Sequence, residues 1–167
     1  MSDIADTALA FFEAESWPVM QIENRSLLGM VFQGESGTWN CYAGGSEEPE
    51  QWVFYSVCPV SAPAANRAAV AELLTRANYG LVIGNFEMDF EDGEIRYKTG
   101  IDVCGDRLTP ALIRQMVYAN VATMDIYLPG ILSVIYGDVS AAEAVAQVEK
   151  SMPHSDGRLE PKGQDGV

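Results

Sequence analysis

The sequence predicts an α+β fold in which helices pack on a largely antiparallel sheet of about five strands. Apolar residues recur at helical spacing near the start of the chain, after residue 63 and from residue 109 onwards. Between residues 19 and 60, and again between 81 and 102, they alternate with a strand-like period. The strand-like runs follow one another through short turns, which is typical of antiparallel hairpins. The predicted order is therefore helix, three strands, helix, two strands and two helices.

The first helix is predicted over residues 4–15, because an apolar stripe runs from Ile4 to Phe12 and Trp17-Pro18 ends it. A meander of roughly three strands follows, with strand-like runs at residues 19–23, 28–33, 38–43 and 51–58. The last run contains WVFYSVC, which is apolar on both faces. This pattern predicts a central strand that is covered on both sides.

The second helix is predicted over residues 64–77, with Pro63 in its first turn. A hairpin then follows, in which Asp92-Gly93 is the dipeptide most typical of a two-residue turn. Such a turn sets the register and separates an apolar side from a charged side. The predicted cross-strand pairs are Phe86–Thr99, Met88–Tyr97 and Phe90–Ile95 on the apolar side, and Glu87–Lys98 and Asp89–Arg96 on the charged side.

The longest helical pattern begins with Thr109 as cap and Pro110 as first residue. Pro129 predicts a kink or break near residues 125–128, followed by a second piece over residues 129–136. A capping-box pattern at Ser140–Glu143 starts a last helix that runs to about residue 150. Residues 1–150 are thus predicted to form a single domain, and residues 151–167 a disordered tail rich in Gly, Pro and charge.

The chain has 167 residues with 24 acids and 10 bases, a net charge of −14. Such a surface repels phosphate backbones, which argues against DNA or RNA as a partner, and it disfavours an anionic membrane face. It suits a basic protein partner, although an acidic surface also serves plain solubility. Acids in the first fifteen residues argue against an export signal, so we expect a cytoplasmic protein. The three cysteines are expected to be reduced and mostly buried.

Several short motifs resemble those of one bacterial family. They are Pro59 and Pro63 before a helix, Asn78 closing it, Gly84-Asn85-Phe86-Glu87 opening a strand, and Asp125-Ile126-Tyr127-Leu128-Pro129 in the last helical region. Together with the order of elements over residues 3–150, they resemble the YbjN-domain family. The resemblance implies a fold like that of type III secretion chaperones, which are small acidic cytosolic proteins that bind effector segments and commonly dimerise. The family is labelled a bacterial sensory-transduction regulator and has no established catalytic motif, so it implies no functional residue.

The residues themselves offer little chemistry. The only histidine is His154, in the predicted tail, which excludes a multi-histidine metal site. Cys-x-x-Cys spacing, a phosphate-binding glycine loop and a nucleophile elbow are all absent from the sequence. Carboxylates are abundant, but Glu87 and Asp89 already face cations in the predicted hairpin. We therefore predict no catalytic residue, no metal ligand and no cofactor.

Aromatic residues are the remaining candidates for a site. We expect most of them to be core residues, whereas any on a bare part of the sheet would anchor a bound peptide or a second subunit. The candidate interaction surface comprises Trp39, Tyr42, Trp52, Tyr55 and Tyr127. The predicted function is a non-enzymatic protein- or peptide-binding domain, a regulator or chaperone-like adaptor that can form a homodimer.

The alternative is a small-molecule sensor, or an enzyme that uses carboxylates such as Asp102 or Asp106 in an unrecognised pocket. A deep cavity lined by convergent polar groups, or a carboxyl pKa raised by burial, would favour that alternative.

Overall fold

A computed structural model of the chain describes residues 3–22 and 27–152. Within these ranges it has four helices and six strands, which confirms the α+β class. The helices are α1 (Asp3–Ala14), α2 (Arg67–Asn78), α3 (Pro110–Tyr136) and α4 (Ala141–Ser151). The strands are β1 (Met20–Ile22), β2 (Leu27–Gln33), β3 (Thr38–Glu47), β4 (Glu50–Val57), β5 (Asn85–Met88) and β6 (Ile95–Asp102). Beyond Met152, the predicted tail and its His154 lie outside the described residues.

The strands form one sheet in the order β1-β2-β3-β4-β6-β5, and every neighbouring pair is antiparallel. The sheet has six strands rather than about five, because the short β1 also pairs with β2. The strands β4 and β6 lie side by side although α2 and β5 separate them in the chain.

The helices pack on one face of this sheet, which we call the inner face. From α1, the ring of Phe12 stacks on Phe54 of β4 at 6.2 Å between centroids. From α3, the side-chain amide of Asn120 donates to the carbonyl oxygens of Phe54 and Tyr97, both at 3.1 Å. The helices α2 and α4 pack against α3 and each other, and α2 also packs against β5. Inner-face residues of the central strands are accordingly buried.

The third helix is continuous from Pro110 to Tyr136, so the predicted break at Pro129 is wrong. A proline inside a helix removes one backbone hydrogen bond and costs about 3 kcal/mol. Tertiary contacts on both sides offset that cost. Before the proline, the carboxylate of Asp125 accepts the backbone N–H groups of Glu35 and Ser36 at 2.9 and 2.7 Å. After it, Gly130 lies so close to α4 that a Cβ there would be 2.9 Å from Val148.

Among the described residues, α3 is the one helix that is long and apolar enough to cross a membrane by length and composition. A core helix passes the same test. Half of the most apolar stretch of α3 is buried in this fold, and Asn120 within it is bonded to the sheet. These contacts identify α3 as the core helix of the fold.

The predicted hairpin forms between β5 and β6, but its register differs by two residues from the predicted one. Phe86 lies opposite Tyr97, and Glu87 lies opposite Arg96. The connection is a longer loop, closed where the Asp89 N–H donates to the Glu94 carbonyl at 2.9 Å. A two-residue type I′ turn needs positive φ at both central residues, whereas only Gly93 of the predicted pair has it, at +80°. A shift of two residues keeps the side chains of β5 and β6 on their predicted faces, so Phe86 and Tyr97 are still buried. The prediction for Phe90 is wrong, because it lies beyond the end of β5 and is 60% exposed, and Ile95 pairs with Met88 instead.

The two outer strands of the sheet differ in how their edges are closed. At β5, the side chain of Asn78 accepts the N–H of Phe86 at 2.7 Å and donates to the carbonyl of Phe86 at 3.0 Å. The last residue of α2 thus occupies the N–H and C=O groups of Phe86, which a further strand would use. At the other edge, all three residues of β1 are exposed.

Both predicted helix caps are confirmed. The hydroxyl of Thr109 accepts the N–H of Leu112 at 3.3 Å, with Pro110 in the first turn of α3. Ser140 and Glu143 form the reciprocal capping box at the start of α4.

Candidate functional site

The candidate site lies on the face of the sheet opposite the helices, which we call the outer face. The sequence predicts that β4 is covered on both sides, and this prediction is wrong. Its inward residues Trp52, Phe54 and Ser56 are buried. Its outward residues Val53, Tyr55 and Val57 are partly exposed although they are apolar or aromatic. The apolar character of β4 on both faces therefore reflects an uncovered apolar surface.

The strand registers align outward residues of neighbouring strands into rows across the sheet. Two of these rows are apolar over most of their length. The first contains Met20, Gly29, Tyr42, Tyr55 and Lys98, and the second contains Ile22, Leu27, Gly44, Val53 and Gly100. Large apolar side chains are well exposed at this end of the sheet, with Met20 at 71% and Val31 at 57% exposure.

An open groove of about 750 Å³ lies along the second row, and we call it the glycine groove. Its lining includes Leu27, Gly44, Val53, Tyr55, Gly100 and Asp102. The two glycines have no side chains, so the floor between them is backbone and the side chain of Val53. Tyr55, in the first row, forms part of one wall.

A hydrogen-bonded acid stands at the opposite wall of the glycine groove. Gln51 donates its side-chain N–H to Oδ2 of Asp102 at 3.0 Å, and the backbone N–H of Cys104 donates to Oδ1 at 2.9 Å. The hydrogen bond from Gln51, together with that from Cys104, holds the pKa of Asp102 below its ordinary value. This wall is therefore anionic at neutral pH.

The outer face is charged where β5 and β6 meet. Glu87 pairs with Lys98 at 2.8 Å and also with Arg96. The guanidinium of Arg96 lies 4.5 Å from the centre of the Tyr55 ring, which joins the charged and aromatic parts of the face. Burial alone would raise the pKa of Glu87, but the hydrogen bonds from Lys98 and Arg96 outweigh it, and the pKa lies below its ordinary value.

We expect Glu87→Gln to reduce stability at pH 7 by at most about 1 kcal/mol, because solvent screens a partly exposed ion pair. A carboxylate whose pKa is lowered by folding stabilises the protein above its unfolded pKa of about 4.3 and loses that contribution as the pH falls through the folded value. The difference between the wild type and Glu87→Gln should therefore shrink below about pH 4. Urea unfolding at a series of pH values measures it. Glu72→Gln, which removes an exposed pair with Arg76 within one helix, is the matched control.

The structure divides the predicted aromatic surface into two groups. Trp39, Trp52 and Tyr127 are core residues, each at most 2% exposed. Tyr127 also makes an edge-to-face contact with Phe86. Tyr42 and Tyr55 lie directly opposite each other on the outer face.

Sequence reasoning missed the rest of this surface. It overlooked Val31 of β2 and the glycines Gly44 and Gly100. The glycines carried a usable signal, because glycine inside a strand weakens it and often marks a place where another backbone or a ligand approaches.

Four carboxyl groups of the described residues have a lowered pKa, namely Glu15, Glu87, Asp102 and Glu143. A general acid needs the opposite shift. Within residues 3–22 and 27–152, no three His, Cys, Asp or Glu side chains are grouped to bind a metal ion.

The two buried thiols, those of Cys41 and Cys58, are unreactive. Burial raises the pKa of Cys41 and of Cys58 to about 11, so both stay protonated at neutral pH. Cys104 is exposed.

Comparison with known proteins identifies the family. The family model described as "YbjN: Putative bacterial sensory transduction regulator" matches residues 6–133. The chain belongs to the YbjN family. No curated protein sequence matches it. Among solved structures, the fold is similar to the one described as "YbjN, a putative transcription regulator from E. coli", with a TM-score of 0.54 and 13% identity over 78% of this chain and 87% of that one.

A second solved structure also has a similar fold. A chain from the structure described as the ExsC-ExsE complex matches with a TM-score of 0.51 and 11% identity, over 75% of this chain and 91% of that one. At such low identity the similarity shows the fold, and it confirms the chaperone-like architecture that the sequence predicts.

Proposed function

We propose that the protein is a non-enzymatic cytoplasmic adaptor or regulator that binds a protein or peptide partner on the outer face of its sheet. The observation that carries this proposal is the one-sided covering of the sheet. The helices bury the inner face, whereas Val31, Tyr42, Val53 and Tyr55 leave an apolar and aromatic surface on the other side. Contiguous exposed apolar surface of this kind is typical of interaction sites.

The two tyrosines are the anchors of the proposed surface. Tyr42 and Tyr55 are cross-strand neighbours near the middle of the sheet, and tyrosine is enriched at the energetic centres of interfaces. The Cβ position of Gly29 lies 3.7 Å from the Tyr42 ring, an ordinary contact distance, so the ring lies beside β2. A partner would therefore contact aromatic rings that stand on the sheet.

The charge of the protein favours a basic partner. The net charge of −14 attracts cationic segments and speeds their encounter with the surface, while it repels nucleic acid. The family description as a sensory-transduction regulator and the fold similarity to a chain of the ExsC-ExsE complex both support a regulatory or chaperone-like binding role.

Quantitative affinity purification tests this function. Tagged wild-type protein and the double variant Tyr42→Ser/Tyr55→Ser are used at low and at high salt, and captured proteins are compared by mass spectrometry. We expect at least one partner to depend on the outer face, with its recovery falling about tenfold or more in the double variant. Tyr79→Ser/Tyr136→Ser is the matched control, because it removes two tyrosines that are 82% and 70% exposed outside the sheet.

The proposal fails if every partner is recovered equally with both double variants. A second copy of the chain is another occupant that the same face could accept. Light scattering after size-exclusion chromatography identifies it, since a dimer formed through the outer face would dissociate in Tyr42→Ser/Tyr55→Ser and persist in the control.

A further inference from the structure

We infer that the glycine groove binds an extended segment of aliphatic residues that ends in a lysine or arginine, its cation at Asp102 and its aliphatic side chains on the floor between Gly44 and Gly100. This inference rests on the proposed function and specifies which part of the outer face selects the partner. The groove has a volume of about 750 Å³ and is open to solvent along the sheet, which suits an extended chain segment laid across the strands.

The geometry favours a segment that crosses the strands. The row Leu27, Gly44, Val53 and Gly100 runs over four neighbouring strands, β2, β3, β4 and β6. Since strands are about 4.8 Å apart, this floor is about 14 Å long, enough for about four extended residues. Along the strands, Asp102 and Lys98 stand on either side of Gly100, two residues from it in each direction. The groove therefore has an anionic wall on one side and the row of Tyr55 and Lys98 on the other.

The charges of the two walls are compensated differently. Lys98 lies 2.8 Å from Glu87, which also pairs with Arg96, and Arg96 lies 4.0 Å from Glu94, so two carboxylates offset the two positive charges beside this wall. Both described hydrogen bonds to Asp102 come from neutral donors, the Gln51 amide and the Cys104 N–H, so they orient the carboxylate without neutralising it. Each carboxylate oxygen can accept a further hydrogen bond. The uncompensated charge facing the glycine groove is thus negative, which selects lysine or arginine.

The floor of the glycine groove is open because its glycines have no side chains. The backbone of Gly100 is not strained. A Cβ on Gly100 would lie 3.4 Å from the Trp52 carbonyl oxygen and 3.6 Å from Val53, which are ordinary contacts. The sheet therefore accommodates a Cβ at position 100, and on the outer face the rest of a larger side chain would project into the glycine groove. This makes Gly100→Leu a steric block that leaves the charge of the protein unchanged.

Isothermal titration calorimetry with a defined probe tests the inference. The probe is a short capped peptide of leucines that ends in an arginine, and peptides with glutamate in place of arginine or glycine in place of leucine are the probe controls. We expect Gly100→Leu to weaken binding of the probe about tenfold or more. Asp102→Asn should weaken it about threefold, as for a partly exposed ion pair. Asp106→Asn removes the same charge just outside the groove and should leave the affinity unchanged.

Two results would overturn the inference. One is equal binding to the wild type and to Gly100→Leu, with thermal unfolding showing that the variant is folded. The other is an equal loss for Asp102→Asn and Asp106→Asn, which would mean that net charge alone holds the probe. Either result leaves the proposed function intact if partners still depend on Tyr42 and Tyr55, so the two failures are distinguishable.

Discussion

Replacing Gly93 with alanine is expected to destabilise the protein by about 2–5 kcal/mol. The residue has φ +80°, where a side chain costs about 1–2 kcal/mol. A Cβ there would also overlap the carbonyl oxygen of Ala62. That backbone cannot move aside easily, because the Ala62 N–H donates to the Gly93 carbonyl at 2.8 Å. Overpacking of this kind adds about 1–3 kcal/mol.

Gly105→Ala is the matched control for Gly93→Ala. Gly105 has nearly the same φ, +79°, but nothing lies within 4 Å of its Cβ position. It should cost only the conformational part, about 1–2 kcal/mol. Chemical denaturation of both variants gives the difference, which isolates the contact with Ala62. Equal losses in the two variants would mean that this contact does not constrain the hairpin.

Asn120→Ala is expected to destabilise the protein by about 3 kcal/mol. The side chain is fully buried in α3 and donates to the carbonyls of Phe54 and Tyr97 and to the hydroxyl of Thr99 at 3.1–3.2 Å. The Asn120 side chain therefore connects α3 to both β4 and β6. Alanine there removes these buried hydrogen bonds and leaves a cavity, and each effect costs about 1–3 kcal/mol.

Asn40→Ala is the control for Asn120→Ala, because Asn40 is exposed on the outer face and should change stability by less than about 0.5 kcal/mol. Thermal and urea unfolding measure both variants. A loss below about 1 kcal/mol for Asn120→Ala would show that packing alone holds α3 on the sheet.

The sequence correctly predicts those parts of the fold that depend on residues close to one another in the chain. The caps at Thr109 and Ser140 and the inward side of the β5–β6 hairpin all follow from local chemistry. The register of the hairpin and the continuity of α3 through Pro129 do not follow from local chemistry. Asp92-Gly93 fits a two-residue turn, but the close approach of Gly93 to Ala62, thirty-one residues earlier in the chain, selects a longer loop. At Pro129, packing on both sides of the proline keeps the helix continuous.

The candidate site shows the same division. Strand alternation places Tyr42 opposite to Trp39 and Cys41, and the structure has that arrangement. Whether an apolar face of a strand is covered depends on where the helices pack. A strand that is apolar on both faces, such as β4, has the same sequence pattern whether helices cover its second face or solvent does. The uncovered outer face could therefore be recognised only once all the helices were located on the other side.

Asn78 has a consequence for self-association. Because its amide already bonds to the N–H and C=O groups of Phe86, a strand added beside β5 would have to replace those two hydrogen bonds. Among the described strands, β1 is the outer strand whose residues are all exposed, so we expect edge-to-edge pairing of two molecules to use β1, where an antiparallel contact is self-complementary. A side chain at the end of a helix thus directs such pairing away from β5.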